Sequence, residues 1–101
     1  GQRMLDGMEV AELCNRARDL PPSDAVPLLM QAGQLVRKNR DAHEALGRQF
    51  ESLWLREAKP YALDWTMDRY AATVARYDAL SARLADACKL AKRGERFRDL
   101  P

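Results

Sequence analysis

The chain has 101 residues, of which 47% are hydrophobic and 32% charged, with a formal net charge of +2. That composition suits one soluble domain with a modest core and excludes a disordered tail. A charge this close to balance favours no polyanion, so no nucleic acid is expected as partner, and no run approaches the roughly 18 consecutive apolar residues of a membrane span.

Unbranched helix formers outnumber Val, Ile, Thr and Gly, which predicts helix throughout and no sheet. The first pattern runs over 3–19, where Met4, Met8, Ala11, Cys14 and Ala17 recur at helical spacing and Leu5, Val10 and Leu13 widen the stripe. The N-terminal residues lack the basic segment and apolar core of a targeting signal. Pro21 and Pro22 forbid continuation and make a tight corner. Ser23 follows as a candidate N-cap, with Asp24 in the first turn and Pro27 within the opening turn.

A second helical pattern spans 23–58, roughly 54 Å at 1.5 Å per residue. Its stripe passes through Val26, Leu29, Ala32, Gly33, Val36, His43, Leu46, Gly47, Phe50, Leu53 and Trp54. Between Arg37 and Asp41 the stripe turns polar, which predicts a kink or a stretch free of partners. Gly33 and Gly47 allow close approach of a neighbour. His43 is expected as a hydrogen-bonded core or boundary residue, because no second His, Cys or carboxylate stands at metal spacing with it.

The third pattern, over 64–93, is the cleanest. Leu63, Met67, Tyr70, Val74, Tyr77, Ser81, Leu84, Cys88 and Ala91 step by four and three, with Leu80 and Ala87 beside them, a seam for another helix. Pro60 and a capping Asp64 mark its start, and Gly94 marks its stop. Arg69, Arg76 and Arg83, with Asp68, Asp78 and Asp86, read as a solvated flank. Arg96 to Pro101 is expected to be irregular or frayed. Lys89, Lys92, Arg93, Arg96 and Arg98 load the C-terminal end with positive charge, and Arg37, Lys38 and Arg40 form a second cluster. The simplest reading is favourable placement at a helix C-terminus and a solvated face.

The second and third helices are joined by so few residues that they must turn back on one another. The fold expected is therefore all-α, a single domain over 1–101: a three-helix bundle built on a long antiparallel hairpin. The first helix is about half as long as either arm and leaves one face of the hairpin partly uncovered. Several large side chains left wet would forfeit a few kcal/mol at about 25 cal/mol per Å², so self-association or a neighbouring domain is expected at the aromatic hinge end. Trp65 lies off the seam and Tyr61 sits in the turn, which makes these two the candidate partner contacts. Cys14 and Cys88 show neither metal spacing nor CxxC, and a disulfide would need them at matching height in adjacent helices. No cofactor motif and no catalytic constellation is visible, and Glu51, Glu57, Asp64 and Asp68 near the hinge are explained by caps and local ion pairs.

The stretch LWLREAKPYALDWTMDRY resembles the helical segment that follows the catalytic barrel in bacterial family 20 glycoside hydrolases, the β-N-acetylhexosaminidases. The resemblance is carried by Leu53, Trp54, Arg56, Glu57, Lys59, Pro60, Tyr61, Leu63, Asp64, Arg69 and Tyr70. It departs from that pattern at Ala58, where a polar residue such as Asn is expected, and at Ala62, where a bulky one is common. The resemblance implies a non-catalytic accessory domain of an enzyme that removes terminal N-acetylhexosamine. In that family the substrate's acetamido group and an Asp-Glu pair on the barrel do the chemistry, and neither barrel nor pair lies in this chain. A free-standing dimerisation or interaction module is the alternative.

Overall fold

A computed structural model describes residues 2–56, 63–98 and 100, with side chains described from Glu9 onward and, in the third helix, from Thr66 onward. The described residues form three α-helices, α1 (Gln2–Arg18), α2 (Pro22–Arg56) and α3 (Leu63–Lys92), and no strand. The architecture is the all-α bundle on a long hairpin that the periodicities predict. α2 and α3 run antiparallel, since their partners occur in opposite order: Leu29 shares a trough with Leu84, Arg40 bonds Asp78, and Gly47 meets Tyr70.

The helix boundaries have local causes. α1 ends in a tightened turn, where the Asp19 and Leu20 amides donate to the Arg16 and Ala17 carbonyls, and the Pro21-Pro22 pair prevents a further turn. α2 does not begin on Ser23. The Pro21 carbonyl accepts from the amides of Asp24 and Ala25, which makes Pro22 the first helical residue and leaves Ser23 inside the first turn. Proline suits that position because its missing N–H has no helical acceptor to find. Pro27 then falls one turn deeper than the opening turn. It removes the donor that would reach the Ser23 carbonyl, and the exposure of both residues leaves that oxygen to solvent. α3 stops in a full Schellman arrangement: Gly94, with φ of 76°, donates to the Ala91 carbonyl, and Glu95 donates to that of Leu90.

The core sits at the end of the bundle where α1 lies on the hairpin. It is built from Val10, Leu13, Cys14 and Ala17 of α1, Ala25, Leu29, Ala32 and Val36 of α2, and Leu84, Ala87 and Ala91 of α3. Small residues make up much of this set, so the helices pack closely around a few large groups, Leu29, Val36 and Leu84. The buried line of α1 passes through Val10, Leu13, Cys14 and Ala17, whereas Ala11, expected in the centre of the stripe, is half-buried at its edge. Both thiols are free, Cys14 buried and Cys88 half-buried.

Beyond Gly94 the chain is irregular, as expected, but it is not frayed. Phe97 and Leu100 pack back on the core, and the Arg18 guanidinium donates to the Leu100 carbonyl. Two apolar side chains give this tail enough buried surface to hold it beside the α1–α2 corner.

Of the kink or partner-free stretch expected between Arg37 and Asp41, the partner-free stretch is not found. α2 continues through the segment, with Asn39 buried and Arg40 half-buried. Arg40 reaches across to α3, where its Nε donates to Asp78 Oδ1 at 3.0 Å, and on its own helix it bonds Asp41 and Glu44. The polar stretch therefore includes a cross-helix contact, made by Arg40 to Asp78.

Candidate functional site

α2 has 35 residues, about 52 Å of helix, while α1 has 17, about 25 Å. α1 turns back from Pro21 and so can accompany only half of α2. Every buried hydrophobic side chain of α2 described lies between Ala25 and Val36, and every one of α3 between Leu84 and Ala91. Among the described residues the hinge half of the hairpin is thus a two-helix arm without a third layer. A radius of gyration of 16.7 Å, against about 13 Å for a compact chain of this length, and extents of 55 × 22 × 15 Å record the same projection.

The arm's interior is an aromatic column. His43 stacks on Tyr70 with centroids 4.9 Å apart and lies 6.2 Å from Tyr77. Phe50 contacts Tyr70 at 5.9 Å and Trp54 at 5.7 Å. All four contacts are tilted, the geometry in which ring edges meet ring faces favourably. Gly47 makes the column possible: it is buried, and Tyr70 lies directly against its backbone. The five rings are only half-buried, and Leu53 and Leu55 are 45% and 61% exposed. His43 is thus a boundary residue packed on tyrosine, as its place on the stripe suggests.

One side of the arm holds a groove of about 330 Å³, floored by Gly47, Met67, Tyr70 and Val74 and edged by Arg40, Glu44, Arg48 and Asp78. Arg40 and Arg48 both bond Glu44, and Arg40 also bonds Asp78, so this edge is internally neutralised. Among the described residues no group of three or more His, Cys, Asp or Glu side chains is placed to hold a metal ion, and no helix is long and apolar enough to cross a membrane.

Of the two contacts expected from sequence, Tyr61 lies outside the described residues, and Trp65 is in the first turn of α3 with its side chain outside them. Of the hinge carboxylates, Glu51 and Asp68 are exposed on the arm, Glu57 lies outside the described residues, and Asp64 is helical with its side chain outside them. What periodicity did not reveal is the seating of Tyr70 on Gly47 and the span of Arg40 to Asp78; the only local signal for the first was a glycine within a strongly helical run. Comparison with protein families, curated proteins and solved structures finds no match.

Proposed function

We propose that this chain is a non-catalytic helical accessory module of a carbohydrate-active enzyme similar to the family 20 β-N-acetylhexosaminidases, and that it acts by packing. The observation that carries the packing role is the two-helix arm, whose aromatic column and exposed Leu53 and Leu55 have no third layer. The glycosidase link rests on the residues of the resemblance. Those whose side chains are described, Leu53, Trp54 and Arg56 at the end of α2 and Arg69 and Tyr70 near the start of α3, stand on this same arm. A fragment of sequence similar to an enzyme's own segment and a surface suited to packing therefore coincide. Covering roughly 300 Å² of apolar surface supplies on the order of 7 kcal/mol, which the costs of association, of similar size, then reduce.

A dimerisation module is the second reading, favoured by the charge of the arm. Glu51 and Asp68 are exposed on the arm together with Arg56 and Arg76, a mixture of both signs suited to a second copy. Sedimentation of the isolated chain separates the two. A dimer lost on Trp54→Ala favours self-association, and a monomer that binds a hydrophobic dye favours a neighbouring domain. Sequencing the complete gene tests the enzyme link, with a barrel-sized region carrying an adjacent Asp-Glu pair as the expected result. A compact monomer that binds no dye overturns the role of the arm.

A further inference from the structure

At the α1 end of the hairpin, a second trough of about 260 Å³ lies between α2 and α3, and among the described residues none from α1 lines it. Its floor is apolar and small, with Leu29, Gly33, Leu84 and Cys88 along it. Its rims are cationic: Arg37 on α2, and Lys89 and Lys92, one turn apart, on α3. No carboxylate lines it. The three cations enter no ion pair among the described residues. The acids further along the hairpin, Asp41, Glu44 and Asp78, are all engaged by Arg40. Arg37 does not extend into solvent away from the trough. Its guanidinium lies over Gly33, with Nη1 3.3 Å from the point where a Cβ on that residue would stand.

Three like charges gathered around one apolar trough, with no counter-charge, raise a local positive potential that an anionic partner relieves. The trough is open along its length and flanked by two antiparallel helices, the form that receives an amphipathic helix. We propose that this trough docks an acidic amphipathic helix of a partner protein. The helix sets its apolar stripe on Met30, Ala85 and Cys88, the accessible apolar residues of the trough above the buried Leu29 and Leu84, and its flanking carboxylates meet Arg37 on one rim and Lys89 and Lys92 on the other. The bound helix lies between α2 and α3 where α1 does not reach, completing a four-helix arrangement. This surface is separate from the aromatic arm and does not depend on the arm's role.

The test uses the full chain and two synthetic peptides. One is an 18-residue Leu/Ala amphipathic helix with Glu on both flanks of its stripe, and the other has each Glu replaced by Lys. Binding is read by fluorescence anisotropy, and Cys88, half-buried in the trough, serves as a reporter, with buried Cys14 as internal control. The expected result is about tenfold or greater preference for the Glu peptide at near-physiological salt, with slowed alkylation of Cys88. Arg37→Glu combined with Lys89→Glu reverses the preference, and circular dichroism shows the fold kept, because both side chains are exposed. Equal binding of the two peptides, an unprotected Cys88, or a reversal variant that still prefers Glu overturns the proposal. So does equal protection of Cys88 by millimolar inorganic phosphate, which identifies a small-anion site. Loss of peptide binding on Phe50→Ala or Trp54→Ala places the dock on the arm and overturns it as well.

Discussion

Gly47 is seated under the ring of Tyr70, so closely that a Cβ on residue 47 would stand 3.2 Å from Tyr70 Cγ and 3.3 Å from its Cβ and Cδ1. Tyr70 has no free direction of retreat along the arm, since His43 and Phe50 hold it on either side. Gly47→Ala therefore sets a helix-propensity gain of up to about 1 kcal/mol against overpacking of about 1–3 kcal/mol. The expected outcome is a net loss of about 1 kcal/mol, seen as a lower urea midpoint, with a larger loss for Gly47→Leu.

Gly33 gives the opposite sign. An added Cβ there meets only the end of the Arg37 side chain, Nη1 at 3.3 Å, which is long and free to swing aside. Gly33→Ala is expected to stabilise by about 0.5–1 kcal/mol through helix propensity and lower unfolded-state entropy. Paired urea denaturations of the two alanine variants should move in opposite directions. A common direction would mean that propensity or crowding alone governs both sites.

The two halves of the hairpin should also respond differently to truncation. Leu29 is 1% exposed within the core under α1, so Leu29→Ala removes transfer energy and leaves a cavity, at about 3 kcal/mol. Trp54 is half-buried on the arm and contacts Phe50 at 5.7 Å. Trp54→Ala is expected to cost about 1 kcal/mol in the isolated chain while weakening dye binding or association strongly. Thermal unfolding paired with sedimentation checks both.

These contrasts follow the line between what was legible in the sequence and what was not. The seam of α3 could be read because its step of three and four places Tyr70, Tyr77, Leu84 and Ala91 on one face whatever the partner is. The corner at Pro21-Pro22 and the stop at Gly94 depend on backbone chemistry local to each residue. The Arg37 to Asp41 stretch reads as a kink or a stretch free of partners because its polarity hides what Arg40 does with its length, reaching Asp78. The hold of Phe97 and Leu100 on the core was illegible for a similar reason: two apolar residues among arginines carry no periodicity, and only the nearby α1–α2 corner gives them a surface. The trough drew its rims from Arg37 and from Lys89 and Lys92, clusters that read separately as a solvated face and a helix terminus until the hairpin set them opposite each other.

The Arg40 contact predicts a salt-dependent coupling. Arg40→Met and Asp78→Asn each remove the same cross-helix ion pair, so the second change cannot lose it again, although Arg40→Met also gives up the bonds to Asp41 and Glu44. A double-mutant cycle should show non-additivity that shrinks as salt is raised, because both groups are solvent-accessible. Additive effects at low salt would reduce the pair to a chance approach.

Cys14 and Cys88 provide a prediction in pH. Burial pushes the Cys14 thiol above its ordinary value of 9.0, against the opposing effect of nearby Arg18. Below pH 9 both folded and unfolded Cys14 keep their protons and the contribution to stability is intact. Above it the unfolded thiol ionises first, so stability declines as the pH rises through the higher folded value. Because the thiolate is the attacking species, native alkylation should modify Cys88 first and reach Cys14 only after opening of the α1 packing. Cys14→Ala should flatten the alkaline decline in the urea midpoint at some cost in packing. A variant that declines as steeply as the parent would assign the alkaline loss to other groups.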